Sequence, residues 1–198
     1  MAGISTNHDA RSYSGPVFAY YQKTAIHLQP LQNMKNIIAV WGVGGCVLLL
    51  SWAIFRLTPI TLEAFSFDLH WHHWTALMLN LLFMAYYEGY RGFQKAYSPR
   101  IAARSKYVRD TGSLIEKILA PIFCMGYFHA AKRRLIATYG LTLGIIALLV
   151  VFQQIPQPWR GIFDAGVLFG LSWGVVSIIA YAYIALTAPS FEYSPELS

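Results

Sequence analysis

Charged side chains are scarce in this chain. Asp, Glu, Lys and Arg make up 12% of its 198 residues, about half of the roughly 25% in an average soluble domain. Hydrophobic residues make up 56% and the mean hydropathy is +0.43. That combination excludes a disordered chain and argues against an ordinary soluble globule. Cysteine is rare as well. Cys46 and Cys124 lie in separate apolar runs, which excludes a disulfide framework, a CxxC site or a zinc module and leaves two small buried side chains. Residues 1–35 hold no long apolar stretch. No cleavable signal peptide is expected there, so the first spanning helix should act as its own insertion signal. A Walker loop, GxGxxG, HExxH and GxSxG are all missing, so no familiar nucleotide, protease or esterase site is legible.

What the sequence does have is long apolar runs. Ile37 to Phe55 contains no charge between Lys35 and Arg56; at helical rise it covers roughly 28 Å, about a bilayer core. A second run, 71–90, opens on Trp71, His72, His73 and Trp74 and closes on Tyr86, Tyr87 and Tyr90, as interfacial aromatic belts do. A third, 135–152, follows Lys132, Arg133 and Arg134, and a fourth covers 162–186. The expected architecture is an all-α integral membrane protein with four transmembrane helices in one domain, 36–188, between a cytoplasmic tail 1–35 and a cytoplasmic tail 189–198.

The basic residues fix the orientation. Apart from Arg56 and Arg160, every Lys and Arg falls in the N-terminal tail or in 91–134. The positive-inside rule then puts both termini and the long middle loop in the cytoplasm, N-in and C-in, in a bacterial inner membrane. It also disfavours a fifth span at 114–131, which would separate Lys132, Arg133 and Arg134 from the other loop cations. Segment 99–131 is read as one or two interfacial helices, with 114–131 either lying in the interface or tucked against the bundle. Ser98-Pro99 would cap a helix to about 109, Asp110-Thr111-Gly112 would break it, and Ser113 with Glu116 has capping-box spacing for the next. Arg100, Arg104, Lys106, Arg109, Lys132, Arg133 and Arg134 would meet anionic lipid headgroups, at about 1 kcal/mol per residue near the surface. Aromatics lie nearby, but lipid and topology account for this belt better than nucleic acid does.

Three constellations could carry chemistry. Asp68, His70, His72 and His73 at the outer mouth of span two suit zinc or copper by ligand type. On a helix only His70 and His73 share a face, so convergence of all three needs a turn, and an interfacial aromatic belt is the simpler account. Spans one, three and four contain no histidine and His129 lies on the other side, which disfavours a haem between two histidines. Glu88 and Arg91 are three apart near the inner end of span two and should form a local ion pair; with mid-span Asn80 they are the polar groups an intramembrane site would use. Gly166, Gly170 and Gly174 form a tandem GxxxG, and Gly140 and Gly144 repeat the spacing. These grooves predict close packing of spans three and four, or a contact with another chain.

The stretch EGYRGFQKAYSPRIAAR, 88–104, resembles a motif of uncharacterised multi-pass membrane proteins of bacteria and some plastids. The resemblance covers under a tenth of the chain and implies no reaction; it draws attention to Glu88, Arg91, Ser98 and Arg100. The leading expectation is an accessory, scaffold or assembly subunit that acts by packing, through self-association or other membrane subunits. The alternatives are a metal-binding membrane protein or enzyme using the outer histidines, and a small oligomeric transporter using Glu88.

Overall fold

A computed structural model describes residues 16–188 and 191–197, with side chains from Lys35 onward. Residues 1–15, and with them the start of the expected N-terminal tail, lie outside the described residues, as do 189, 190 and 198 of the expected C-terminal tail. The chain divides into two units, Met1–Ile37 and Ile38–Ser198. The first is helical from Pro16 onward; all packing below belongs to the second.

The described residues are helical, with no strand among them. Helix α1 runs Pro16–Ala64, α2 Trp71–Met84, a π-helix Ala85–Tyr97, α3 Ser98–Thr111, α4 Leu114–Ile118, α5 Ala120–Met125, α6 Lys132–Phe152 and α7 Trp159–Thr187. Among the described residues three helices are long and apolar enough to cross a membrane: Lys35–Ala64, Lys132–Phe152 and Trp159–Thr187. Their large apolar side chains, among them Leu48, Phe55, Ile136, Leu143 and Tyr183, are exposed in the isolated chain, as expected where lipid tails supply the contacts.

The expected second span has a different form. At roughly 21 Å, α2 alone is short of a bilayer core, but the backbone does not stop at Met84. It widens into the π-helix and re-forms as α3 without a break. Ser98 is therefore not a cap: it is helical, and its N–H bonds back five residues to Phe93 O. Pro99 follows at once. Its missing N–H thus falls where the hydrogen-bonding register returns from five residues to four.

The long helices alternate in direction. The end of α1 meets the start of α7, where Gln157 Nε2 donates to Ile60 O (3.1 Å) and to Glu63 Oε2 (3.2 Å), while Gln157 Oε1 accepts from the Gly161 N–H. Asn80 of α2 lies against Ile162 and Phe163, and Phe93 farther along lies against Gly174. The helix beginning at Trp71 thus runs parallel to α7 and α1 runs antiparallel to it. Phe152 stacks on Phe163 at 5.3 Å, so α6 ends where α7 begins.

The apolar core sits at the far end, where α1, α3, α5 and α7 meet. Val43, Cys46, Ile101, Val108, Ala120, Phe123, Cys124, Ile178 and Ala182 form one buried cluster. The fully buried Phe123 alone contributes about 2–3 kcal/mol. Segment 114–125 is not purely interfacial. A Cβ on Gly42 would lie 2.9 Å from Cys124 Sγ, and one on Gly45 would lie 2.5 Å from Pro121, so Gly42 and Gly45 are notches that seat α5. Trp41 Nε1 donates to Ile118 O at 3.2 Å. The opposite side, Leu114, Ile115 and Ile118, is exposed. Helix α3 is buried along Ile101–Ser105, where small residues allow close backbone approach.

A candidate polar seam between two helices

The α7 glycine row meets the helix beginning at Trp71. A Cβ added at Gly166 would collide with the Asn80 amide, at Gly170 with the Glu88 carboxylate, and at Gly174 with the Phe93 ring at 2.7 Å. The interlock also runs the other way: a Cβ on Gly89 would lie 3.0 Å from Trp173, whose indole N–H donates to Gln94 Oε1 at 3.0 Å. Glu88 and Phe93 are five residues apart, a spacing that shares a face on the π-helix rather than on an α-helix. The π segment keeps them in register with glycines four apart.

Asn80 is well held. Its Nδ2 donates to Ile162 O (2.8 Å) and Phe163 O (3.2 Å). Glu88 is not: its Oε2 is buried and has no hydrogen-bond partner among the described residues. The expected Glu88–Arg91 ion pair is absent there too, and Arg91 is exposed. The cause is the wider π turn, which carries the third residue away from the face it would share on an α-helix. The expected packing of spans three and four through their glycines is also corrected. Gly140 and Gly144 have nothing within 4 Å of an added Cβ, because the α7 notches are filled from the other helix.

The outer histidines do come together. The chain is extended at His70 and helical from Trp71, and this turn brings the three rings within 4.1–5.9 Å of one another. His73 is buried beneath Trp159, at 4.9 Å between centroids. Its Nδ1 accepts from the His70 N–H at 3.1 Å, closing the first turn of α2 and using one ligand nitrogen. His70 Nδ1 lies 3.1 Å from Asp68 O, and the Asp68 side chain is exposed. Among the described residues no three His, Cys, Asp or Glu side chains are placed to hold a metal ion.

At the opposite end, the sequence-based expectation for Arg104 is overturned. It was expected at lipid headgroups but is 4% exposed. It donates to Phe128 O (3.0 Å) and His129 O (2.8 Å) and stands 4.4 Å over the Phe123 ring. A turn with His129 at positive φ brings those carbonyls inward, and the guanidinium satisfies them. Burial, first, pushes the Arg104 pKa down, with Cys124, Glu196 and Glu116 opposing. Arg109 pairs with Asp110 at 2.8 Å and Arg134 with Glu196, whereas Lys132 and Arg133 are exposed.

Glu116 closes the same junction. It completes the capping box with Ser113 and meets His129 Nδ1 at 2.8 Å. Burial alone would raise its pKa, but the hydrogen bonds from His129 and Ser113 outweigh it and hold the carboxyl below its usual range. The contact therefore contributes stability above roughly pH 4.3 and loses it as pH falls through the lowered folded value. Glu116→Gln is expected to cost about 1 kcal/mol at neutral pH and to flatten the acid-side loss of stability. Unfolding midpoints between pH 6 and 3 test this; parallel curves for variant and wild type would refute it.

No sequence motif marks the clasp at Arg104 or the π-helix, and Phe93 is hidden because five-residue spacing is not a helical face in the usual register. No family model, curated protein or solved structure matches this chain.

Proposed function

We propose that this chain is a four-span protein of the bacterial inner membrane, with both termini and the 91–134 segment cytoplasmic, that acts as an accessory, scaffold or assembly subunit of a membrane complex. The alternating helix directions support four spans, the second being α2 with the start of the π-helix. The observation that carries the packing role is α6. It is 21 residues of apolar helix with no buried residue, and its two glycine notches are open. The seam between α7 and its parallel neighbour is already filled. Open small-residue notches on a spanning helix admit another helix closely, and the occupant proposed is a spanning helix of another subunit.

Cys46 and Cys124 are both buried, so a single introduced thiol reports cleanly. Gly144→Cys, labelled with a maleimide–benzophenone and irradiated in native membranes so that the benzophenone inserts into a neighbouring C–H bond, is expected to give one adduct of defined mass containing a second membrane protein. A chain that stays uncrosslinked there and runs as a lone monomer in mild detergent would sink the proposal.

The partnerless carboxyl oxygen of Glu88 favours a second reading, a small transporter or proton-conducting protein. Ionisable groups inside spanning helices are costly and are by default functional candidates, and π segments are often found at functional sites. Proton flux into liposomes should then fall at least tenfold in Glu88→Gln; equal flux removes Glu88 from any transport mechanism.

A further inference from the structure

Helices α4 and α5 abut α1 at a depth that can be measured along it. Trp41 Nε1 donates to Ile118 O at 3.2 Å. The Cys46 S–H is shared between Gly42 O at 3.3 Å and Pro121 O at 3.7 Å. A Cβ on Gly42 would meet Ala120 Cβ at 3.3 Å as well as Cys124 Sγ. Residues 41–46 of α1 lie inside the charge-free run Ile37–Phe55. At helical rise they stand roughly 6–14 Å in from Ile37, with Cys46 at the midpoint of the run. Helix α7 gives the same depth. Its Ile178 and Ala182 share the buried cluster with Phe123 and Cys124, and they stand roughly 12 and 6 Å in from Leu186, the end of the fourth apolar run.

The backbone is satisfied as hydrocarbon depth requires. The helix breaks at Leu119 (φ −91°, ψ 23°), and Pro121 brings no N–H to the turn that follows. Away from water, such a break needs donors from neighbouring protein. Helix α1 supplies them at Ile118 O and Pro121 O. The acid of the segment, Glu116, turns inward to Ser113 and His129. The outward face is aliphatic: Leu114, Ile115, Ile118 and Ile122 are 46–74% exposed. Val40 and Trp41 of α1 are exposed as well, and the Trp41–Ile118 bond joins the two surfaces into one. A water-facing loop would not carry so continuous an apolar patch; its continuity with the lipid-facing side of α1 identifies what covers it. Lys117 is half-buried, and its stem is long enough to carry the ammonium toward the headgroups. Exposed polar residues flank the segment, Asp110 and Thr111 before it and His129, Lys132 and Arg133 after it.

We propose that α4 and α5 form a re-entrant wedge in the cytoplasmic leaflet, which enters and leaves on the same side and whose Leu114–Ile122 face is covered by lipid acyl chains. The proposal rests on the membrane reading but not on the packing role of α6. It is tested on the full chain reconstituted in phosphatidylcholine vesicles, with a nitroxide on Ile118→Cys. Cys46 and Cys124 are buried, so the label goes to the introduced thiol. Leu48→Cys, exposed near the middle of α1, is the lipid reference, and Arg133→Cys, exposed beyond the segment, is the water reference. Ile115→Cys repeats the measurement one turn earlier on the same face.

Spin relaxation by dissolved oxygen, which enters hydrocarbon, is compared with relaxation by a water-soluble nickel chelate, which does not. The oxygen-to-nickel ratio at Ile118 and Ile115 is expected to match that at Leu48 and to exceed that at Arg133 by at least about tenfold, because polar solutes are excluded from an apolar medium. A ratio at both sites equal to that at Arg133 would mean that the face meets water, and would overturn the proposal. Weak relaxation by both agents would mean that protein covers the face, with the same consequence. A water-like ratio at Leu48 would show instead that the membrane reading itself has failed, and the wedge falls with it.

Discussion

Gly166→Leu is expected to destabilise the helix bundle by about 3 kcal/mol, the upper part of the range for overpacking. The Asn80 amide fills that notch and cannot swing aside freely, because both of its hydrogen bonds go to α7 carbonyls beside it. Gly140→Leu is the matched control: the same change at the same kind of motif, on a helix where an added Cβ has nothing within 4 Å. Unfolding midpoints in detergent should fall for Gly166→Leu and stay near wild type for Gly140→Leu. Asn80→Ala relieves the collision while sacrificing the hydrogen bonds, so the double variant Gly166→Leu/Asn80→Ala should lose less than the sum of the singles. Equal loss at both glycines would show that the seam does not set the effect, since helix propensity favours leucine over glycine at both sites.

Arg104→Met is the other substitution expected to do large damage, about 3 kcal/mol. Methionine keeps much of the apolar stem but leaves the inward-facing carbonyls of Phe128 and His129 without a donor, each a penalty of roughly 1–3 kcal/mol when buried. Lysine at the same position keeps the charge but lacks the planar fork that reaches two carbonyls, and should recover only part of the loss. Arg133→Met, at an exposed position in the first turn of α6, should stay within about 0.5 kcal/mol. The turn at 126–131 should also become the first site of proteolytic cleavage in Arg104→Met. Cleavage and stability indistinguishable between the two methionine variants would mean that the clasp does not hold the turn.

Much of the architecture was legible because bilayer helices announce themselves by length and lack of charge. The three long apolar helices lie close to where the runs ending at Phe55, Phe152 and Leu186 placed them. The reciprocal cap of Ser113 and Glu116 was legible for a different reason: it is local, needing only the spacing of two residues. Glu88 and Asn80 were also conspicuous in sequence, since polar groups are rare in apolar runs. Their partners were not conspicuous. On an α-helix the third residue shares a face, which puts Arg91 within reach of Glu88; the π-helix removes that premise. The GxxxG pattern specified that something would pack closely on α7; it carried no information about which helix would do so.

Arg104 makes the same division from the other side. By composition it is one more cation in a basic loop, and nothing in its neighbours separates it from Arg133. Its burial depends on α3 sinking among α1, α5 and α7, and on a left-handed turn at His129 that presents two carbonyls. Both are properties of chain segments brought together from far apart in sequence. The sequence by itself determined the long apolar helices compatible with a bilayer, the all-helical class and the rows of small residues along α7. Those follow from hydropathy and residue size, which act locally. Only the tertiary structure decided that α7's notches receive Asn80, Glu88 and Phe93, that Glu88 is left without a partner, and that Arg104 turns inward, because each depends on which helix faces which and in what register.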